Sequence, residues 1–354
     1  MSKKYIEYRT AESVSPHHPD KLCDQISDAI LDACLAQDPD SRVAIETMGG
    51  HGIITITGEL TTKAYVDMRQ IAQRITGGKY GVQTNVVQQS PEIAAGVNVG
   101  GAGDQGIMIG YACDETLEML PREVVLARRL NQFIYEKFPF DGKTQVTLRD
   151  GEIVAIVASF QNASKDELAE LIEKWLDKNY IARDSLFGRQ KAKRSFPVTT
   201  GETSVSSECN LNKPDIFINP AGDWNMGGFD ADTGLTGRKL AVDNYGPRIA
   251  VGGGAFSGKD PSKVDRSAAY MARRIAVDYL RERQAKEVFV RLAYAIGLSE
   301  PLEKSVIIDG AHEEISDKYD LTPNGIIRSL DLKRPIYEET ARYGHFGHSF
   351  DWEK

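Results

Sequence analysis

The chain has 354 residues, 41% of them hydrophobic and 27% charged, a soluble composition with enough material for two or three cores. Its formal net charge of −8 argues against a general nucleic-acid binder, and no run approaches the roughly 20 apolar residues that span a bilayer. No apolar stretch follows Lys3 and Lys4, so no signal peptide is expected; Cys23, Cys34, Cys113 and Cys209 form no C-x-x-C pair and read as reduced thiols of a cytoplasmic protein, not a zinc site.

Residues 19–37 read as a helix, because Leu22, Ile26, Ala29, Ile30 and Ala33 recur at helical spacing and Pro19 suits a first turn. It opens on His17-His18-Pro19-Asp20-Lys21, where an imidazole, a carboxylate and an ammonium meet at a helix N-terminus that would welcome a phosphate near Lys21. Asp24, Asp28 and Asp32 continue the spacing of Asp20 and read as a solvated acidic face. Strands over 42–47 and 53–60 flank the turn Gly49-Gly50-His51-Gly52, and a helix covers 64–75. Six glycines in 96–110 make that segment largely loop. A helix follows over 121–138, then a hairpin of 145–149 and 152–160 about Asp150-Gly151. A helix over 165–179, a short strand over 215–219, a Gly-rich loop over 221–237, a helix over 267–284 and a strand over 287–296 complete the chain. Strand pairs interleaved with helices, without strict alternation, predict an α+β fold and not one doubly wound sheet. Breaks in the Gly-rich stretches give domains 1–100, 101–225 and 226–354. No strong internal sequence repeat is visible; each third carries only a strand pair with helices.

The most informative run is Gly252-Gly253-Gly254-Ala255-Phe256-Ser257-Gly258-Lys259-Asp260-Pro261-Ser262-Lys263-Val264-Asp265-Arg266. Successive glycines let backbone amides approach a ligand, lysines answer an anion, and carboxylates answer a metal, which suits a polyphosphate with its cation. Gly253 to Lys259 also fits G-x-x-x-x-G-K, but Asp260 stands where a P-loop needs a hydroxyl. With Val306-Ile307-Ile308-Asp309 as a second motif, a P-loop ATPase remains the competing enzyme reading. Gly101-Ala102-Gly103-Asp104-Gln105-Gly106 fits G-x-G-x-x-G, yet the apolar Ile107-Met108-Ile109 follows where a dinucleotide site needs a helix. A tight turn presenting Asp104 and Gln105 is the better use of these glycines. Leu235-Thr236-Gly237-Arg238-Lys239 sets a guanidinium fork beside a point charge, as a triphosphate requires. Glu46, Glu59, Asp104, Asp232 and Asp265 are solvated carboxylates on the plainer view, and a metal, amine or cation site if one pocket gathers them. Trp224 is a core side chain on the plainer view and a purine-stacking wall on the other.

Gly101 to Tyr111 and Gly252 to Asp260 resemble the two signatures of the S-adenosylmethionine synthetase (methionine adenosyltransferase) family. His18-Pro19-Asp20-Lys21, Leu235 to Lys239, Lys263 to Tyr270 and the ending Tyr343-Gly344-His345-Phe346-Gly347 agree, so the resemblance spans nearly the whole chain. It implies three similar α+β domains of sheet plus helices about a pseudo-threefold axis. It implies a homodimer or dimer of dimers with active sites shared between subunits, and no nucleic-acid or membrane partner. The implied reaction joins ATP and methionine into S-adenosylmethionine and triphosphate, which is cut to diphosphate and phosphate, with Mg²⁺ (two ions per site) and K⁺. In the family's pattern His18 assists at the departing oxygen, Asp20 and Asp265 hold magnesium, and Glu46 helps hold potassium. Lys143, Arg238, Lys239, Lys259 and Lys263 grip the phosphates, and Asp141 holds the ribose. Trp224 takes the place of the adenine-stacking phenylalanine, and Glu59, Gln89, Asp104 and Asp232 surround methionine, with Lys263 beside them. Three departures stand out. His17 replaces a glycine, which bears on access to His18. Asp223 replaces an arginine, which bears on nucleotide preference. Val97-Asn98-Val99-Gly100 is shorter than the family's mobile loop, as is the segment before Gln89, which implies altered gating. Against the transferase stand the ATPase, which would make ADP without methionine, and a non-catalytic relic, which would have lost some of these charges.

Overall fold

A computed structural model of the chain describes residues 6–89, 100–187 and 214–354, with side chains to residue 178 in the helix that ends the second stretch. Val97 to Val99, the segment after Gln89 and Cys209 lie outside the described residues. The first part of the chain runs β1 (Tyr8–Val14), α1 (Pro19–Leu35), β2 (Arg42–Gly50), β3 (Ile53–Thr61), α2 (Met68–Thr76) and β4 (Gly81–Val87). The middle runs β5 (Gly106–Cys113), α3 (Arg122–Tyr135), β6 (Gly142–Arg149), β7 (Glu152–Phe160), α4 (Lys165–Phe187) and β8 (Asp215–Ile218). The last runs β9 (Gly234–Leu235), α5 (Leu240–Asp243), α6 (Val264–Arg283), β10 (Glu287–Tyr294), β11 (Glu303–Ile308), β12 (Ala311–Glu314), α7 (Pro323–Ser329) and α8 (Thr340–Tyr343).

These strands form three four-stranded sheets, ordered β1-β6-β7-β8, β9-β2-β3-β4 and β5-β10-β11-β12. Each is a hairpin flanked by an outer strand on either side, and in the first two the last strand joins in parallel. The α+β reading holds, and the weak recurrence in the sequence is a structural repeat. In each third the leading strand leaves for another third's sheet: β1 pairs with β6, β5 with β10, and β9 with β2.

The chain divides into two compact units, Met1–His18 with Glu123–Gly228, and Pro19–Arg122 with Phe229–Lys354. In the first unit α3 and α4 share one core with the sheet, built from Leu130, Ile134, Val146, Leu148, Ile156, Phe160, Leu168 and Ile172. Alternation along β6 and β7 supplies their inward residues. Asp150 and Gly151 turn the hairpin with positive φ angles of 49° and 80°, the left-handed pair a two-residue turn needs. In the second unit α6 lies on β5 and β10, and α1 on β2 and β9.

Two helix boundaries move for local reasons. The helix expected over 64–75 starts at Met68, because the Asp67 carboxylate accepts the Gln70 N–H and caps it there. The helix expected from 267 starts at Val264, which brings Asp265 into its first turn, where a carboxylate suits the dipole.

Candidate active site

In the second unit the site is built on α1. Asp20, Asp24, Asp28 and Asp32 fall on one helix face, and each receives backbone N–H groups from a loop. Asp20 Oδ1 accepts from Leu235 N at 3.0 Å, Asp24 Oδ1 from Gly237 N at 2.8 Å and Asp28 Oδ1 from Gly258 N at 2.8 Å. Asp32 accepts from Tyr337 N at 3.0 Å and Glu338 N at 2.8 Å. The solvated acidic face read from sequence is therefore wrong: Asp24 and Asp28 are fully buried and Asp32 largely so. Burial pushes the Asp32 carboxyl up to about 6, against the pull of those two amides.

Lys21 is also not where a phosphate could reach it. It is completely buried, donating to Asp24 at 2.9 Å and Asp243 at 2.6 Å. Burial alone would lower its pKa, but the two carboxylates outweigh burial and hold the ammonium above the usual lysine range. Arg266 behaves alike: it is buried with both terminal nitrogens on Asp28, at 2.7 and 3.0 Å, and its guanidinium lies over the Tyr337 ring at 4.1 Å.

The other cations stay nearer solvent and meet carboxylates of the motif segments. Lys239 Nζ lies 2.5 Å from Asp20 Oδ2, and Arg238 lies 4.0 Å from Asp20 Oδ1. Lys259 Nζ lies 2.6 Å from Asp265 Oδ2. Lys263 instead reaches Asp260, at 2.5 Å. Burial works to raise the Asp260 carboxyl, and the Lys263 charge with the local hydrogen bonds overrides it and holds it low. Asp260 also clamps the loop to β2, accepting from Val43 N at 2.6 Å. Two glycines of this loop are required by contact. A Cβ on Gly258, at φ 80°, would stand 1.9 Å from the Ile45 carbonyl oxygen, and one on Gly254 would stand 2.4 Å from Asp265 Cγ. The hydroxyls of Ser257 and Ser262 are buried without a hydrogen-bond partner among the described residues.

In the first unit Asp141 and Trp224 are stitched together. Asp141 Oδ2 accepts from Gly228 N at 2.9 Å, and Gln161 links the Asp141 N–H, at 3.4 Å, to the Asn225 carbonyl, at 3.0 Å. The half-buried Trp224 indole lies over Gly227, where a Cβ would stand 2.8 Å from Cζ3. Gln161 was not singled out by sequence, and no spacing signal marks it. Lys143 is exposed on β6, 3.3 Å from Glu12. His18 is half-buried at the end of a turn in which its N–H meets Ser15 O at 3.0 Å. The neighbouring His17 Nδ1 lies 2.6 Å from the Tyr135 hydroxyl on α3.

The remaining expected residues are placed but not joined to these clusters. Glu46 and Glu59 share the solvent face of the β2–β3 hairpin. Asp104 and Asp232 are exposed, each accepting from the next residue's N–H, and Gln89 donates its own N–H to Thr61. Among the described residues no hydrogen bond links these five to the cations above. Nor is there among them a group of three or more His, Cys, Asp or Glu placed to hold a metal. The donor set still suits magnesium carried by a polyphosphate, since that ion takes one or two carboxylates and fills its other positions with phosphate and water oxygens. Asp20 and Asp265, each now neutralised by a lysine, are such single carboxylates. The P-loop reading fails on topology: β11 is antiparallel to both neighbours, and Asp309 is spent on the N–H groups of Lys286 and Glu287.

Three family models match the chain in succession: S-adenosylmethionine synthetase N-terminal domain over residues 7–91, central domain over 99–224 and C-terminal domain over 226–354. A protein of Treponema denticola named S-adenosylmethionine synthase is 42% identical over 396 aligned positions, covering 99% of this chain and 97% of the relative. One of Brachyspira hyodysenteriae with the same name is 42% identical over 401 positions, covering 98% and 95%.

Proposed function

The chain belongs to the S-adenosylmethionine synthetase family, and from that premise we propose that it is a methionine adenosyltransferase. The methionine sulfur attacks C5′ of ATP, the bond from C5′ to the triphosphate oxygen breaks, and the triphosphate is hydrolysed to diphosphate and phosphate before release. The observation that carries this reading is the double pairing of Lys239 with Asp20 and Lys259 with Asp265. It gathers cations for a leaving group of about four negative charges beside carboxylates for its metal.

Arg238, Lys239, Lys259 and Lys263 grip the phosphates, and Lys143 is a further phosphate-binding cation of this reading. The consecutive glycines Gly252 to Gly254 support a close approach of an anion to the backbone of that loop. Asp20 and Asp265 would hold magnesium, which screens the triphosphate charge when bound. Glu46 is the potassium residue of this reading. His18 stabilises the departing oxygen. Asp141 holds the ribose and Trp224 stacks on the base, supported by their shared tie through Gln161. Glu59, Gln89, Asp104 and Asp232 form the methionine side, with Lys263. No residue attacks the substrate, because the sulfur is itself the nucleophile.

Domain limits near 100 and 225 belong to the reading and are supported by the three matched segments. A homodimer or dimer of dimers is supported by Met48, Ile53 and Val87, exposed on the open sheet face of the second unit. No helix among the described residues is long and apolar enough to cross a membrane. A cytoplasmic setting is supported by the free, buried Cys23, Cys34 and Cys113.

The test is incubation of the purified protein with ATP, L-methionine, Mg²⁺ and K⁺, followed by mass spectrometry and assays for both phosphate products. Sulfonium product that needs methionine, with phosphate and diphosphate, is expected. ADP formed regardless of methionine would sink the reading.

A further inference from the structure

Beside Trp224 a hollow of about 280 Å³ is lined by Asn162, Ala163, Ser164, Asp223, Trp224 and Asn225. It is large enough for a nucleobase, and among the described residues Asp223 is the only charged one in its wall. An exposed aspartate is ordinarily just solvated. This one is anchored by a residue with no other freedom. Asn219 is 1% exposed; its Oδ1 accepts from Phe160 N at 3.1 Å, and its Nδ2 donates to Ala163 O and to Asp223 Oδ1, each at 2.9 Å. The buried amide thus fixes one carboxylate oxygen of Asp223. The other, Oδ2, makes no hydrogen bond among the described residues.

An ionised carboxylate only accepts hydrogen bonds. Facing a purine that rests on an indole wall, it is satisfied by an amino group and left unsatisfied by a ring nitrogen lone pair. Adenine offers such a donor in its 6-amino group; the unsubstituted purine offers none. We propose that Asp223 is a specificity residue that accepts an N–H of the 6-amino group and so selects an amino-bearing base. The inference rests on the reading of Trp224 as the base wall and adds the edge by which the base is recognised. Asn219 acts through Asp223 and is a positioning residue.

The experiment compares kcat/KM for ATP and for purine riboside triphosphate, at saturating methionine, in the wild type, Asp223→Ala and Asp223→Asn. A charged acceptor at a pocket wall is worth about ten-fold in selectivity, so the wild type is expected to favour ATP by at least that factor. Asp223→Ala is expected to bring the ratio near one by losing rate with ATP alone, and Asp223→Asn, whose one oxygen stays on Asn219 and whose NH2 then faces the base, to lose the preference for ATP as well. A merely structural role would slow both nucleotides alike, so an unchanged ratio in Asp223→Ala overturns the assignment. No sulfonium product from ATP in the wild type would overturn the transferase reading as well, which distinguishes the two failures.

Discussion

His18 is the one proposed catalytic residue that carries an imidazole, where the others carry an ammonium or a guanidinium. Its turn is closed by its own N–H on Ser15, and its neighbour His17 is moored to α3 through Tyr135, so the backbone beside the imidazole is fixed. His18→Asn is expected to cut sulfonium formation at least 100-fold, the lower range for a lost acid–base or oxyanion group. Hydrolysis of added triphosphate should survive, because the cations that hold it are untouched. Equal loss of both activities, measured separately on the same preparation, would remove His18 from the role. At this scale the charged residues of the motifs were legible from sequence: Asp20, Arg238, Lys239, Lys259, Lys263 and Asp265 all stand in ion pairs. Their pairings were not legible. Nothing in the order of residues says that Lys263 takes Asp260 and leaves Asp265 to Lys259.

The element that organises the second unit is α1, and here the sequence misled for a definable reason. Spacing of four puts Asp20 to Asp32 on one face, but it does not reveal whether that face meets water or other loops. The apolar stripe of Leu22, Ile26 and Ile30 suggests only one covered side, whereas the folded chain covers nearly the whole helix. Buried carboxylates then serve as caps for loops far away in sequence, and α1 becomes a rail on which the segments at 235, 258 and 337 are hung. Asp28 carries most, since it also neutralises buried Arg266. Asp28→Asn would leave that guanidinium without its counter-charge, and a loss of about 3–5 kcal/mol is expected from breaking such a buried pair. Urea unfolding curves of both proteins would measure it, and a difference under about 1 kcal/mol would mean that Arg266 finds another anion. The longer helices and the two central hairpins were readable because their periods are local. Strands β1, β4, β9 and β12 were missed, and so was β5, which begins at Gly106 inside the segment expected to be largely loop. Strand β9 has only two residues and a partner far back in the chain, and β12 is exposed throughout, so neither carries an alternating pattern.

Over the whole molecule, the three sheets share a rule: each is completed by a strand from another third of the chain. Domain breaks drawn at Gly-rich loops follow the sequence but not the sheets. The segment 99–224, although it matches one family model alone, lacks β1 and carries β5 without β10. Expressed alone, it is expected to be insoluble or to show the weak near-ultraviolet dichroism of an unpacked core. Fusing residues 6–14 to it, to restore β1 to β6, is expected to recover part of that signal. A cooperative melting transition of the bare segment would contradict the expectation.

Strand sharing also sets a timetable for synthesis. Thr10 waits for Thr147, 137 positions later, and Thr47 for Thr236, 189 positions later. At about 5–20 residues per second, the second interval keeps the hairpin β2–β3 beside the ribosome for roughly 10 to 40 seconds before its outer partner emerges. Its open edge must stay unclaimed for that time, and a nascent chain beside it on the same messenger offers the same β9. Crowded translation therefore favours strand exchange between sister chains, and slow initiation favours the correctly closed monomer.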